Sequence, residues 1–458
     1  MRDRILGLDR QTPLLDGSTV TYVNLDNGAS TPPMMDAVEA LERFMPFYSS
    51  VHRGTGFKSR LSTRAFDQAR EVIAEFVGAN LEHNTVIFGK NASEAINKLS
   101  HSLPHGDDCV VMTTRMEHHS NDLPWRDHYR VVHVDILPDG RLDENDFDRK
   151  LELHKDKLAL VAVTGAANVT GYLQPVHRLA RKVHEAGSLI LIDAAQLAPH
   201  RAIDMKPDDH PEHLDFIVLA GHKMYAPYGT GCLIGPRHVF MECSPDYSGG
   251  GTVNVVTPTE VYWAGLPDKE EAGSPNVPGA IAMAASARAL MKRTMKKVEE
   301  HEVELTKYAL TELQKIPGMI IYGESDPEKL DRVGVIPFNL EGVHHSLLAA
   351  ILGYEGGIGV RSGCFCAHPY VVSLLGLSHE EAENWRVEFL AGDKSRMPGM
   401  VRMSLGCYST REDIDRLITM LRKVADGDYR GEYEVVRETG EYVPIGYVEP
   451  FEDYFSFN

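Results

Sequence analysis

Short apolar runs alternate with amphipathic segments from about residue 34 to residue 300 of the chain. The apolar runs are typical of buried strands and lie at 85–88, 110–112, 131–134, 158–163, 189–192 and 215–218. The segments with helical spacing lie at 34–48, 61–77, 93–102 and 176–185. Continuous apolar strands that alternate with helices predict an α/β fold whose sheet is mostly parallel and covered on both faces.

The pattern changes after residue 278, where we predict one long helix over 278–315. It leads into an α+β region with predicted strands at 319–322, 333–339 and 401–405 and predicted helices at 346–353 and 411–424. A chain of 458 residues is long for one domain. We therefore predict a large domain over 20–295, a small α+β domain from 1–19 and 296–427, and an extended tail over 428–458 that packs on the body or on a neighbouring subunit.

Composition and charge narrow the class of protein. Hydrophobic residues make up 43% and charged residues 25% of the chain, which is typical of a globular protein. The 47 basic and 66 acidic residues give a net charge of -19, which argues against nucleic acid or an anionic membrane as a partner. The first residues lack the apolar region of a signal peptide, and no run approaches the roughly 18 apolar residues of a membrane span. We predict a cytoplasmic protein.

The six cysteines are too few for a disulfide scaffold in a chain of this length. Four of them lie in or beside apolar runs and are interpreted as small core residues: Cys109, Cys232, Cys243 and Cys407. Cys364 and Cys366 differ because they lie in a glycine-containing loop.

Two apolar runs each end in an ionisable residue. Asp193 follows the run at 189–192, and Lys223 follows the run at 215–218. In parallel sheets, ligands bind beyond the carboxyl ends of the strands, where both side chains fall. An amine and a carboxylate suit pyridoxal phosphate (PLP), because the lysine holds the aldehyde as a Schiff base and the aspartate keeps the pyridine nitrogen protonated. The alternatives are a solvated strand end for Lys223 and a helix N-cap for Asp193.

Further polar residues follow the predicted strands, and Gln196 shares its turn with Asp193. Gln196 and Asn168 are candidates to bind the phenolic oxygen of the ring, although Asn168 also suits a plain turn. His118 could lie over the ring or serve only as a structural residue. Ser93 opens a helix, where free N–H groups favour a phosphate, but it could also be only the N-cap.

The loop at 359–369 supplies a candidate nucleophile, Cys366, whose thiolate would be favoured by nearby arginine or histidine charge. Metal binding by Cys364 and Cys366 is the alternative, but no second ligand pair follows at zinc spacing, and we predict no metal. Arg402 lies in a strand and suits bidentate capture of a carboxylate, with a surface salt bridge as the alternative.

Together these segments resemble the class V aminotransferase-like PLP enzymes, and among them the cysteine desulfurases and selenocysteine lyases of the iron–sulfur mobilisation type. The resemblance covers roughly residues 20–425 and rests on the segments 25–31, 51–54, 116–121, 193–196, 221–223, 271–276 and 361–366 and on Arg402. It implies fold type I of the PLP-dependent transferases, the aspartate aminotransferase-like fold, with a mostly parallel seven-stranded sheet in the large domain. It also implies a homodimer with its sites at the subunit interface.

The resemblance assigns a role to each matching residue. Lys223, Cys366 and His118 would be catalytic. The residues implied in cofactor binding are Lys223, Asp193, Gln196, Asn168, His118, Ala92, Ser93, His222 and, towards the partner subunit, Ser274. The residues implied on the substrate side are Arg402, Asn27, Ala29, Arg53 and Arg361.

The chain also departs from the family pattern. Ala220 stands where a serine or threonine is usual, and Asn91-Ala92 replaces Gly-Thr, so phosphate-binding hydroxyls are missing. Cys364 and Phe365 stand where two histidines are common. The stretch 377–399 is an apparent insertion, and the tail after 428 is also additional.

The function implied is a PLP-dependent cysteine desulfurase that converts L-cysteine to L-alanine and carries the sulfur as a persulfide on Cys366 for a protein acceptor. Two alternatives stay open. One is a C–S lyase, selenocysteine lyase or other β-eliminating enzyme that acts on a modified cysteine. The other is an inactive scaffold that binds a sulfur carrier. A second thiol at Cys364 would relay the sulfur or form an inhibitory disulfide.

Overall fold

The structure, a computed structural model, describes residues 1–106 and 108–457. The α-helices of these residues are α1 Met35–Phe44, α2 Phe57–Val77, α3 Ala92–Ser102, α4 Leu123–Arg126, α5 Glu144–His154, α6 Val176–Glu185, α7 Arg237–Glu242, α8 Val277–Arg293, α9 Met295–Leu313, α10 His345–Gly356, α11 His368–Leu374, α12 His379–Leu390, α13 Arg411–Ala425 and α14 Phe451–Tyr454. The strands are β1 Gln11–Pro13, β2 Thr19–Thr21, β3 Val23–Asn24, β4 Asn84–Gly89, β5 Val110–Thr114, β6 Arg130–Val134, β7 Leu158–Thr164, β8 Leu189–Asp193, β9 Phe216–Ala220, β10 Gly231–Pro236, β11 Val253–Val256, β12 Val261–Trp263, β13 Met319–Ile321, β14 Val335–Leu340, β15 Ile358–Gly359, β16 Arg361–Gly363, β17 Met400–Ser404, β18 Tyr433–Val436 and β19 Glu441–Pro444.

The central sheet has seven strands in the order β4-β10-β9-β8-β7-β5-β6. β10 runs antiparallel to both neighbours, and the other strands run in one direction. The predicted mostly parallel seven-stranded sheet is confirmed. Along β8, Ile190 and Ile192 face one apolar core while Leu191 faces the other, as the two-residue period of a strand requires. Because both faces are buried, the strands read as continuous apolar runs.

The predicted single helix over 278–315 is wrong. The chain forms α8 and α9 instead, with a break at Thr294, whose φ is 65°. α8 packs on α1 and α2 of the central sheet layer, whereas α9 contacts α13 beside the smaller sheet. The first turns of α9, with Met295 and Val298, still pack in the core of α8, whereas the later turns from Leu305 onward pack in the core of the smaller sheet.

The smaller sheet has four strands in the order β13-β14-β17-β16 and is antiparallel throughout. It encloses a separate apolar core with α9, α10 and α13. The domain limits given above stay a prediction.

The apparent insertion and the tail contain structure that the sequence pattern did not predict. The insertion at 377–399 carries α12, and the tail folds back on itself as a β18–β19 hairpin. The tail lies on α10, where the Arg430 and Gly431 amides donate to the Glu355 carboxylate at 2.9 and 3.0 Å. The tail thus packs on the body, and its extended strands pair with each other.

Among the described residues, no helix has the length and apolar character that crossing a bilayer requires.

Candidate active site

A cavity of about 480 Å³ opens at the carboxyl ends of the parallel strands. It is the place that the sheet topology predicts for a ligand, because the loops after β5, β7, β8 and β9 meet there. The predicted residues that line it are Ala29, Ala92, Ser93, His118, Asn168, Asp193, Gln196, His222, Lys223, Arg361, Cys366 and Arg402. The tertiary structure therefore brings most of the sequence-derived candidates into one cavity.

Lys223 lies in a short turn that directly follows β9. Its amine donates a hydrogen bond to Oε1 of Gln196 at 3.1 Å. Burial, reinforced by the positive charge of Arg402, lowers the pKa of this amine to about 8. A neutral amine is thus readily available near physiological pH, as attack on an aldehyde requires.

Asp193 ends β8 and is buried, with one carboxylate oxygen accepting the Ala195 amide at 3.0 Å. Burial raises the pKa of this carboxyl group, and the Lys223 charge only partly opposes the shift. A buried carboxylate is stabilised by a cation, and a protonated pyridine nitrogen would supply one. The bond to Ala195 shows that Asp193 also closes the local turn.

His118 accepts the Ser120 amide on Nδ1 at 3.1 Å, so the proton of the neutral ring is on Nε2. Burial, followed by the charge of Lys223, lowers the pKa of His118 to about 3. The imidazole is therefore neutral at physiological pH, and a flat neutral ring is suited to lie over an aromatic cofactor.

The amino end of α3 forms another wall. Asn91 caps this helix by accepting the Glu94 amide at 2.9 Å, so the alternative role of Ser93 as N-cap is wrong. The Ser93 hydroxyl faces the cavity and lies 2.6 Å from that of Ser120. Gly231 of β10 permits this approach, because a Cβ there would lie 2.5 Å from the Asn91 backbone. Free helix N–H groups and a hydroxyl suit a phosphate.

Cys366 is exposed and lines the cavity. It and Phe365 have φ values of 54° and 53°, a left-handed conformation that costs a residue with a Cβ about 1 kcal/mol. Two hydrogen bonds hold this conformation. The side-chain amide of Asn168 donates to the Phe365 carbonyl at 2.7 Å, and the backbone N–H of His119 donates to the Cys366 carbonyl at 2.7 Å. The loop thus fixes the thiol between the cavity and solvent.

Cys364 differs from Cys366 in its burial. It is buried, and its thiol donates to the Pro398 carbonyl at 3.3 Å. Burial raises its pKa to about 11, so it stays a thiol at neutral pH. All six cysteines lie within the described residues, and all are free.

The opposite wall carries two guanidinium groups. Arg402 is only 3% exposed, which rules out the surface salt bridge considered as its alternative role. It donates to the Asn168 carbonyl at 2.8 Å and lies 3.4 Å from Asp26, which Arg361 also contacts at 2.9 Å. Paired guanidinium groups suit the carboxylate of an amino acid.

Three predicted residues do not line this cavity. The side-chain Nδ2 of Asn27 donates to the Ser404 carbonyl at 3.0 Å. Its Oδ1 accepts from the Tyr408 hydroxyl at 2.7 Å. Arg53 is exposed and donates to the Val253 carbonyl. Ser274 is exposed on the outside of its own chain. Their predicted roles stay predictions.

The sequence reasoning missed Asp26, which joins the two arginines, and Glu117. Glu117 is buried and accepts three hydrogen bonds. The donors are the Thr114 hydroxyl at 2.6 Å, the Thr164 backbone N–H at 3.0 Å and the Asn121 side-chain amide at 2.7 Å. It therefore ties the ends of β5 and β7 to the turn that carries His118. Asp26 lies in the segment 25–31 and Glu117 in the segment 116–121, both of which carry the family resemblance. Their position beside candidate site residues in these segments is the sequence signal that could have indicated them.

These residues fit PLP. The Asp193 carboxylate lacks a cationic hydrogen-bond donor among the described residues, and Asn168 Oδ1 is buried without a hydrogen-bond partner in the same part of the chain. The cavity thus contains polar groups that the described protein atoms leave unsatisfied. Lys223, Asp193, Gln196, His118, Ser93 and His222 are the residues that would hold the cofactor.

Comparisons with known proteins identify the family of the chain. The sequence profile of the family described as Aminotransferase class-V matches residues 23–417. A protein named cysteine desulfurase from Haloferax volcanii is 33% identical over 91% of this chain and 92% of its own length. A probable cysteine desulfurase from Staphylococcus aureus is also 33% identical, over 90% of this chain and 95% of its own. The apo structure of a cysteine desulfurase from Thermococcus onnurineus NA1 has a TM-score of 0.77 and 28% identity, and covers 93% of this chain and 99% of that one.

The fold and the cavity define an enzyme of the PLP-dependent transferase type. The chain belongs to the aminotransferase class-V family, and PLP is the cofactor of this family.

Proposed function

We propose that the protein is a cysteine desulfurase that releases L-alanine from L-cysteine and retains the sulfur on Cys366. The observation that carries the proposal is the exposed Cys366 thiol in the same cavity as Lys223, Asp193 and Arg402. A nucleophilic thiol beside an amine, a carboxylate and a guanidinium is what transfer of sulfur from an amino acid needs. The names of the relatives in Haloferax volcanii and Staphylococcus aureus support the same activity.

Substrate binding is assigned to the arginine wall. Arg402 and Arg361 would hold the substrate carboxylate, since both guanidinium groups line the cavity and share Asp26. Asp26 neutralises part of their charge and sets their spacing. A carboxylate bound there would place the amino group and the side-chain sulfur of the substrate towards Lys223 and Cys366.

The bound cofactor would supply an electron sink for negative charge at the substrate Cα. Lys223, whose pKa is lowered to about 8, would take the Cα proton and return a proton during the reaction. Asp193 would keep the sink effective by stabilising positive charge at the pyridine nitrogen. The neutral His118 ring would restrict the tilt of the cofactor.

Cys366 would then attack the substrate sulfur as a thiolate. An S–S bond forms, the Cβ–S bond breaks, and its electron pair stays on Cβ, which takes a proton to become the methyl group of alanine. The sulfur that remains on Cys366 is a persulfide. Electrons balance within this step, so no outside oxidant is needed.

A homodimer is part of the proposal. Ser274 is exposed on its own chain, where it is free to reach the cofactor phosphate of a partner subunit. Six free cysteines favour a reducing compartment such as the cytoplasm.

The test is to measure alanine and sulfide from L-cysteine with a reductant in wild type and Cys366→Ala. We expect equimolar products from wild type, and loss of both products in the variant while the absorbance of the bound cofactor stays. Cys364→Ala is the matched control and should keep the activity, because this buried thiol does not line the cavity.

Other outcomes separate the alternatives. Pyruvate in place of alanine would indicate β-elimination. Alanine formation that survives in Cys366→Ala would remove the thiol from the mechanism, as in a lyase that acts on selenocysteine. A wild-type protein that binds cofactor without turnover would contradict L-cysteine as the substrate.

A further inference from the structure

The insertion at 377–399 carries a helix that has no core of its own. None of the described side chains of α12 is buried, and three apolar residues on it are largely solvent-accessible: Val387 at 57%, Phe389 at 42% and Leu390 at 67%. Its start is well defined by a capping box in which Ser378 and Glu381 exchange hydrogen bonds. A capped helix that leaves apolar side chains in water is a candidate contact surface.

Both ends of the insertion are attached to the loop that carries Cys366. On the amino side, α11 follows the loop and leads into α12. On the carboxyl side, the Pro398 carbonyl accepts the Cys364 thiol at 3.3 Å, and the Met397 carbonyl lies 2.8 Å from Nε2 of His345. α12 is thus a protrusion anchored at the rim of the candidate active site.

The tail hairpin braces this protrusion. The Lys394 amide donates to the Arg437 carbonyl at 2.8 Å, which joins the segment after α12 to the hairpin. Gly440 of the hairpin approaches the same segment so closely that a Cβ there would lie 2.6 Å from the Lys394 carbonyl. The two parts of the chain that depart from the family pattern therefore support each other, and together they hold the segment after α12, whose Pro398 carbonyl accepts the thiol of Cys364 in the loop of Cys366.

The charged side chains of α12 indicate which kind of partner this surface would attract. The helix contains four glutamates and one arginine, and this arginine is paired with Glu383. Lys394 Nζ lies 5.1 Å from the centre of the Phe389 ring, so one cation borders the apolar residues. The acidic residues of 377–399, five in number, still exceed the three basic ones, on a chain whose net charge is -19. A second copy that met this helix with its own α12 would bring like charge to the contact, which is unfavourable, whereas a basic partner would be attracted.

We propose that α12 is the docking site for a protein sulfur acceptor whose receiving cysteine is surrounded by basic and apolar residues. The proposal rests on the proposed desulfurase function. The thiolate of the acceptor attacks the outer sulfur of the Cys366 persulfide. One S–S bond forms, one breaks, and Cys366 leaves as a thiolate, so the transfer needs no other oxidant or reductant.

The experiment uses full-length holoenzyme and three sulfur acceptors: dithiothreitol, a single-cysteine peptide rich in lysine and leucine, and the same peptide with glutamate in place of lysine. Alanine formation from L-cysteine is measured with each acceptor at low and at high salt. We expect the basic peptide to react about tenfold faster than the acidic one, with a preference that weakens in high salt.

Two variants of α12 test the surface directly. Glu380→Lys combined with Glu388→Lys removes the charge attraction, and Val387→Gln combined with Leu390→Gln removes apolar contact without lowering helix propensity. Each should reduce the rate with the basic peptide by about fivefold or more and leave the rate with dithiothreitol unchanged. Glu82→Lys combined with Glu242→Lys is the charge-matched control, because these exposed residues lie just before β4 and at the end of α7, outside the insertion and the tail.

Equal rates with both peptides in wild type would overturn the proposal, as would an unchanged preference in both α12 variants. If the α12 variants alter the molecular mass in solution, measured by light scattering, α12 is a contact between copies of the chain and the proposal also fails. Absence of alanine with dithiothreitol would instead contradict the desulfurase function itself.

Discussion

At the scale of single residues, burial decides the ionisation of the groups that surround the cavity. It lowers the pKa of Lys223 to about 8 and that of His118 to about 3, and it raises the pKa of Glu117 to about 8. The same low-polarity environment thus supplies a reactive amine, a neutral imidazole and a carboxyl group that keeps its proton at neutral pH. Only the structure could indicate these shifts, since they follow from packing.

Glu117 should make the protein less stable as pH rises. Its folded pKa of about 8 lies above the ordinary value of 4.5, so between these pH values the unfolded state has lost a proton that the folded state retains. The free energy of unfolding contributed by this group falls across that window. Glu117→Gln should flatten the dependence, so that its stability relative to wild type rises by more than about 1 kcal/mol between pH 5.5 and 7.5.

Urea denaturation of holoenzyme at several pH values measures this difference. Glu82→Gln, at an exposed residue, serves as the control. A constant difference between Glu117→Gln and wild type at all pH values would contradict the raised pKa.

The two cysteines of the 359–369 loop should differ in alkylation. Iodoacetamide reacts with thiolates, and Cys364 is buried with a pKa raised to about 11, whereas Cys366 is exposed. At pH 8 we expect modification of Cys366 at least about tenfold faster than that of Cys364. Mass spectrometry of wild type and of each alanine variant gives both rates, and comparable rates would show that Cys364 is accessible.

At the scale of elements, the segment after β5 clamps the loop before α11. Besides the bond from the His119 amide to Cys366, the Nε2 atom of His119 accepts the His368 amide at 3.3 Å. It also lies 3.0 Å from Nδ1 of His368, with the two ring planes 6° from parallel. Because Nε2 of His119 is an acceptor, Nδ1 of His368 carries the proton. Burial lowers the pKa of both rings, which favours the neutral pair that this bond requires.

Loss of the ring-to-ring bond should loosen the strained conformation of Cys366. His368→Ala should remove about 1 kcal/mol of the free energy that stabilises the conformation of Cys366. This corresponds to about a fivefold decrease in kcat with little change in KM. His368→Asn should recover most of the rate, since the asparagine amide can donate from the position of Nδ1.

His83→Ala, at an exposed residue at the opposite edge of the sheet, is the control. Hydrogen exchange at 364–367 should rise in His368→Ala and return to the wild-type value in His368→Asn. Equal kcat values for all of these variants would show that the pair does not position Cys366.

At the scale of the whole molecule, one buried network joins the layer of the central sheet to α9. Glu302 of α9 is 3% exposed and pairs with His200 and Arg201, and Arg201 also donates to the Arg332 carbonyl at 2.9 Å. Burial opposes ionisation of Glu302, but its ion pair with Arg201 and its hydrogen bond with His200 hold its pKa below the ordinary value. The network thus couples the two parts of the chain that enclose the cavity.

Glu302→Gln should lower the free energy of unfolding by about 3 kcal/mol, because it leaves the buried Arg201 without its anionic partner. Since the folded pKa of Glu302 is lowered, the stability that it contributes is present above about pH 4.5 and is lost as pH falls through the folded pKa. Urea midpoints at pH 7 and pH 4 test both statements. Glu300→Gln on the exposed face of the same helix should change stability by less than about 0.5 kcal/mol.

Much of the fold and part of the candidate site could be predicted from the amino-acid sequence. Strand runs, helix spacing and the ionisable residues that end β8 and β9 are local features, because side-chain period and covalent order determine them. They predicted the parallel sheet, the edge at which the cavity opens, and Lys223 and Asp193 as the pair that meets there. The break at Thr294 was not readable, since no glycine or proline marks it.

Only the tertiary structure decided what surrounds that pair. Arg402 and Asp26 are 376 positions apart, and Asn168 and Phe365 are 197 apart, so no local pattern links them. The burial that shifts the ionisation of Glu117 and the exposure of α12 also arise from long-range packing. Sequence by itself determined which chemical groups the chain carries to the sheet edge, and packing decided their spacing, their charge and which of them are exposed to solvent.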